Sequence, residues 1–385
     1  MLQWLRISVL ACALLATAVI AHLPLGVSPA LSRSEPPQLR PSFLLDQSHG
    51  EDRAIGDGWV VSAQEDRRVS GPTSAYFRLF NLADHRWNVI RPALLGPRYY
   101  VMNVVVSHDW LAWIQSPNIQ SAGGWQLCSY SIASGQEWIV DSAQAEGTPA
   151  SADQSGIGDE EIALHGDVLV WTVRQFLGQH GGRSLVEEAR LTTRRKQTLA
   201  AVANAKPAAV FGWPTTDGRY VAWDRSTQAT PSTETDTVEL FDLRTSKMVA
   251  RVTASEASEP ALGYGYLAWK RGPRFGDSAG IHVLDMQGGR AVDVPVKNSA
   301  RPSLGPCLLA YQVALTDGDG LFDLCHQRGV TLTTRQKQTA TGWGFSSIVL
   351  AGRYAIMNGG NPNTTAHIIG VFYFSAQYPL SDFYH

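Results

Sequence analysis

The sequence predicts an all-β fold, a seven-bladed β-propeller, and three observations predict it. First, a short apolar strand ending in a small-then-aromatic pair recurs after a turn residue. It reads HDWLAW at 108–113, GDVLVW at 166–171, DGRYVAW at 217–223, GYGYLAW at 263–269 and GPCLLAY at 305–311, with weaker copies GDGWVVS at 56–62 and AGRYAIM at 351–357. Second, the equivalent end positions, Ser62, Trp113, Trp171, Trp223, Trp269, Tyr311 and Met357, lie 42 to 58 residues apart. A strand-built period of that size marks a closed radial array. Third, each copy is followed by an apolar strand running into a polar hairpin turn, clearest as VELFDLRTSK at 238–247, IHVLDMQGGR at 281–290 and LFDLCHQRG at 321–329. Asp, Ser, Thr and Gly suit such turns because they tolerate left-handed backbone or bond their own main chain. Each repeat therefore reads as two inner strands, a loop and an outer hairpin.

Taken from the N-terminus, the first element is different in kind. A single Arg6 precedes an uncharged apolar stretch at 7–21, with small residues near its end. This is the pattern of an export signal, and extended to Val27 it is just long enough for an uncleaved membrane anchor. Residues 1–27 are thus expected to be a signal peptide or anchor, and the Pro- and Ser-rich residues 28–40 a linker. The propeller is expected over 41–385. The last repeat lacks an obvious fourth strand, and PSFLLDQ at 41–47 is expected to supply it and close the ring. The expected location is exported: secreted, periplasmic or on the cell surface.

Composition narrows the function classes. Net charge is −2, so a nucleic-acid partner is not expected. Of the four cysteines, Cys12 lies in the export segment. Cys307 and Cys325 flank one loop and face each other if 307–313 pairs antiparallel with 320–326. An exported protein permits a disulfide there; the alternative is two buried thiols. No CxxC or HxxxH accompanies them, so no zinc site is expected.

The best repeat copies, EPALGYGYLAWKRG…GIHVLDMQGG at 259–289, RPSLGPCLLAYQ…GLFDLCHQRG at 301–329 and TTDGRYVAWDRS…VELFDLRTSK at 215–247, resemble the TolB-type and related WD-like propeller repeats of bacterial exported proteins. The resemblance covers roughly residues 50–375. It implies a cell-envelope propeller and leaves function open, because such propellers host binding, scaffolding and enzymes. TolB members have six blades, the alternative count here.

No catalytic signature is present: no GxSxG, HExxH, P-loop or GxGxxG before a helix. No cofactor, metal or catalytic residue is expected. Asp317-Gly318-Asp319-Gly320 begins like a calcium loop but reads better as a hairpin turn. His108 and His165 share one repeat position beside a turn. Trp113, Trp171, Trp223 and Trp269 recur at the anchor position, which blade packing explains. Trp213 and Trp343 fall outside it, in GWP and GWG contexts, and are placed to reach the end of the central channel.

The loops after the second strands are long and polar, and all leave one face. Candidate ligand- or partner-binding residues on that rim are Arg67, Arg68, Gln115, Arg174, Arg183, Asp224, Arg225, Lys270, Arg271 and Arg274. Summed, they make a cationic face. The leading expectation is a non-enzymatic propeller binding a protein, peptide or glycan there, with the membrane engaged only through the N-terminal segment. The alternative is a propeller hydrolase or polysaccharide lyase with its site at the channel mouth. A lyase needs a base beside Arg, and His180 with Arg183 or Lys270 with Arg271 are the loop candidates.

Overall fold

The computed structural model describes residues 43–47, 53–66, 74–96, 99–117, 124–145, 162–176, 182–203, 208–230, 233–253, 256–272, 278–313, 318–332, 344–352, 354–360 and 367–373. The expected export segment and linker fall outside them. No helix among the described residues is long and apolar enough to cross a membrane.

Among the described residues, seven four-stranded antiparallel sheets form, one for each sequence repeat and one more than the resembled family has. We number them blades I to VII, spanning 53–90, 100–142, 162–203, 208–252, 257–294, 299–332 and 344–373. Blade VII takes its fourth strand from the start of the propeller: Phe43–Gln47 pairs antiparallel with His367–Tyr373, Phe43 opposite Val371 and Gln47 opposite His367. The expected closure is therefore formed. The first strand of each blade is innermost and lies against the first strand of the next, and Gly344–Ala351 meets Arg53–Gly56 to complete the ring.

The core lies between blades. Val168, Val170 and Val186 of blade III pack with Phe211, Val221 and Trp223 of blade IV. The neighbouring interfaces use the same positions: Val61, Phe77 and Leu79 with Val104 and Trp113, and Leu240 with Leu262 and Trp269. The seven anchor residues all fall on second strands, each facing a third-strand partner. Trp171 faces Glu187, Trp223 faces Glu239, Trp269 faces His282 and Tyr311 faces Gly320.

These partners explain how buried polar groups sit beside the tryptophans. Trp223 Nε1 donates to Glu239 Oε2 at 2.9 Å, and Arg251 pairs with Glu239 Oε1 at 2.7 Å. The His282 ring lies 4.4 Å from the Trp269 ring, and its Nδ1 is 2.6 Å from Asp293. In blade VI the pattern inverts. A Cβ at Gly320 would sit 1.9 Å from the Tyr311 ring, so glycine is required there. Gly318, Asp319 and Gly320 open the strand Gly318–Asp323, which forms a hairpin with Leu308–Val313, while Asp317 lies outside the described residues.

Blades are stitched by side chains that accept the next blade's main-chain N–H. Ser184 Oγ accepts from Phe211 N at 3.0 Å, Thr215 Oγ1 from Leu262 N at 3.2 Å, and Ser303 Oγ from Leu350 N at 2.9 Å. The outer hairpins turn on repeated caps. Asp242, Asp285 and Asp323 each accept two N–H groups two and three residues on, and Asn81 does the same in blade I. Cys307 and Cys325 are disulfide-bonded, joining the two hairpins of blade VI. Cys128 is a buried free thiol.

Candidate functional site

Three successive innermost strands carry a β-bulge at one repeat position. Pairing breaks between Gly212 and Thr215, between Ser258 and Ala261, and between Ala300 and Ser303. The bulged pairs are Trp213-Pro214, Glu259-Pro260 and Arg301-Pro302. Their first residues have left-handed φ values of 46°, 50° and 49°. A left-handed residue ahead of proline runs against the extended preference that the ring imposes. Such strain persists only where the surroundings over-determine it, and it clusters at functional sites. A bulge also re-aims side chains.

The re-aimed side chains converge. The Arg301 guanidinium lies 5.4 Å from the Trp213 ring centroid. These residues belong to blades VI and IV, so they meet over the inner edge of blade V. Between them, Glu259 is 6% exposed. Its Oε1 accepts from Lys270 Nζ at 3.2 Å, and its Oε2 accepts from the Arg301 main-chain N–H at 2.7 Å. Its own N–H donates to Asp224 Oδ2 at 3.2 Å. Lys270 is the next-to-last residue of its strand, Tyr266–Arg271. The cluster therefore lies toward the end of the ring where the second-to-third-strand loops leave. Trp213 is half-buried and Arg301 exposed above a buried layer of Asp224, Glu259 and Lys270.

This geometry corrects the expected rim. Gln115, Asp224 and Lys270 are not on solvated loops but on second strands that run on past the anchor, and they are 0%, 0% and 3% exposed. Gln115 is committed to packing: it accepts from Trp113 Nε1 at 2.8 Å and donates to Leu94 O and Gln126 Oε1, both at 2.9 Å. Lys270 and Arg271 do not act together, because alternation along the strand sends them to opposite sides. Lys270 pairs with Glu259, and Arg271 pairs with Asp293 at 3.2 Å. Arg225 lies 3.8 Å from Glu239. Arg183 bonds Gln175, and Arg174 is half-buried in Val168–Phe176. Acid partners thus offset three of the predicted cations. Arg67, Arg68, Arg274, His180 and Trp343 lie outside the described residues. Sequence singled out Trp213 but passed over Glu259 and Arg301, which join it in this cluster. The signal for them was present as a variable residue before Pro in the aligned copies WP, EP and RP.

The opposite end carries the hairpin turns. Ser107 Oγ donates to Asp57 and accepts from Gly166 N at 2.8 Å, and His165 Nδ1 is 4.0 Å from Asp57. The Tyr264 hydroxyl of blade V accepts from Gly352 N of blade VII. Burial pushes the Tyr264 phenol above its usual range, the Gly352 contact works against this, and the Asp57 charge adds to it. Among the described residues, no group of three or more His, Cys, Asp or Glu side chains is arranged to hold a metal.

No family model matches the chain, and no curated protein matches its sequence. Solved structures do match its fold. An oligogalacturonate lyase in complex with manganese superimposes with a TM-score of 0.53 at 10% identity, over 88% of this chain and 92% of that one. The β-propeller domain of the trilobed protease from Pyrococcus furiosus gives 0.53 at 5% identity, over 87% and 98%. The acylaminoacyl peptidase of Pyrococcus horikoshii gives 0.53 at 9% identity, over 84% of this chain but 51% of that one. Against such peptidases the chain spans about half their length. At these identities the likeness shows the fold: a propeller of the kind found in lyases and peptidases.

Proposed function

We propose that the protein is an exported propeller that holds an acidic glycan at its loop-side channel mouth. The observation that carries this reading is the Arg301 guanidinium laid over Trp213 by strained bulges on blades IV to VI. An indole face suits the apolar face of a sugar ring. A guanidinium pairs a carboxylate through two parallel hydrogen bonds. Together they fit a uronate-type unit better than a neutral sugar or an unmodified apolar peptide. The near-complete overlap with an oligogalacturonate lyase supports the ligand class. The disulfide supports export, since such bonds persist in oxidising compartments.

That overlap also favours a second reading, the polysaccharide lyase, in which the same mouth cleaves what it holds. Lys270, the cation beneath Arg301, is committed to Glu259, so that reading takes its base from outside this cluster.

Calorimetric titration with trigalacturonate tests the first reading, and ultraviolet absorbance of an unsaturated product tests the second. The expected result is binding that is lost in both Trp213→Ala and Arg301→Ala. Equal binding by wild type and both variants would remove the mouth from consideration. Binding of neutral oligosaccharides or peptides in place of the acidic one would remove the ligand class. A reporter fused after residue 40 should appear outside the cytoplasm; a cytosolic reporter would refute export.

A further inference from the structure

We infer that Glu259 is the positioning residue of the mouth, fixing the main chain of Arg301 so that its guanidinium stays over Trp213. The inference rests on the proposed role of that mouth for its functional meaning, but its geometric content stands apart from any ligand.

Three facts carry it. Glu259 reaches from blade V to blade VI, and its Oε2 accepts the Arg301 N–H at 2.7 Å. That N–H belongs to a bulged residue, where the regular ladder register is interrupted. Glu259 is in turn held from three sides: by Lys270 Nζ on Oε1, by Asp224 on its own N–H, and by burial. The carboxylate thus links the left-handed turn of one blade to that of the next. Without it, Arg301 keeps its charge but loses the contact that orients its backbone at φ 49°. Lys270, paired with Glu259 beneath, holds that carboxylate in place. Arg301 is then the cation held beside the Trp213 ring.

The test separates the acceptor role from the charge role. Two double variants, Glu259→Gln/Lys270→Met and Glu259→Ala/Lys270→Met, both lack a buried unpaired cation, so they differ mainly in whether an oxygen remains for the Arg301 N–H. Hydrogen exchange is read by mass spectrometry on the peptide containing Arg301, with circular dichroism confirming the fold. The Gln variant should exchange as wild type, and the Ala variant at least tenfold faster at that amide. Trigalacturonate affinity should follow, kept in the Gln variant and reduced about tenfold in the Ala variant. If the Ala variant does not fold, Glu259→Asp, which withdraws the acceptor by one methylene and keeps the charge, takes its place. Wild-type exchange at Arg301 in the Ala or Asp variant would overturn the inference, and so would faster exchange with unchanged affinity. A wild-type protein that ignores trigalacturonate would refute the acidic-glycan reading instead, and the exchange measurement would still decide on Glu259.

Discussion

Lys270 and Arg271 are adjacent cations that sequence placed together on one rim, and replacing each by Met should give opposite results. Lys270 is 4% exposed at its side chain and pairs with Glu259, itself 7% exposed. Removing one partner of a buried ion pair leaves the other charge uncompensated and costs about 3–5 kcal/mol. Glu259 keeps the Arg301 N–H at 2.7 Å, so the low end, about 3 kcal/mol, applies. Arg271 and Asp293 are 35% and 55% exposed, and a pair this solvated is worth at most about 1 kcal/mol. Unfolding entropy near 2.1 cal/mol/K per residue, over a body of about 340 residues, makes 1 kcal/mol equal to about 1.4 °C in Tm. Lys270→Met should therefore lower Tm by about 4 °C, and Arg271→Met by about 1 °C or less. Scanning calorimetry with a matched urea titration reads both. Adding Glu259→Gln should recover part of the Lys270→Met loss, since the orphaned charge is then gone. Equal Tm values for the two single variants would refute the argument, for they would show that Lys270 is as solvated as its neighbour.

The other predictions concern the body of the propeller. Trp223→Ala empties a site between Phe211 and Phe241 and removes the Nε1 donor to Glu239 Oε2, so a loss of about 3–5 kcal/mol is expected in urea unfolding; an unchanged midpoint would show the site to be exposed. Burial raises the Glu188 carboxyl above its usual range, outweighing its bonds to Gln197 and Arg190. The folded state therefore binds more protons in that window, and stability falls as pH rises from the usual carboxylate value through the raised one. Glu188→Gln should flatten this slope, and parallel pH–stability curves for variant and wild type would contradict it. Cys307→Ser opens a disulfide with a sequence separation of 18 residues, for which a loss of about 3 kcal/mol is expected by calorimetry under non-reducing conditions. Burial, with Glu137 adding to it, raises the Cys128 thiol, so a thiol reagent should label it only after denaturant is added.

The sequence alone determined what repeats impose. Every blade must fill the same inter-blade wedge, so the anchor at 113, 171, 223, 269 and 311 recurs as a large aromatic. Outer hairpins recur with a capping Asp or Asn because each turn needs the same two N–H groups satisfied. Closure by 41–47 was legible for a related reason: a repeat missing its last strand leaves an unpaired edge. The Cys307–Cys325 pairing was legible as a possibility, because both flank a single loop. What the sequence could not give was depth. A polar residue after an anchor reads as the start of a loop, yet Asp224 and Lys270 continue the strand and turn inward. A buried charge is tolerable only where a partner arrives, and here the partner comes from an inner strand whose bulge shifts the register. Sequence marks the anchor's position along the chain; tertiary structure decided which side chains cross between blades. That crossing set the Arg301 guanidinium over Trp213 and buried Glu259 between Lys270 and the Arg301 main chain, from what read as ordinary residues before proline.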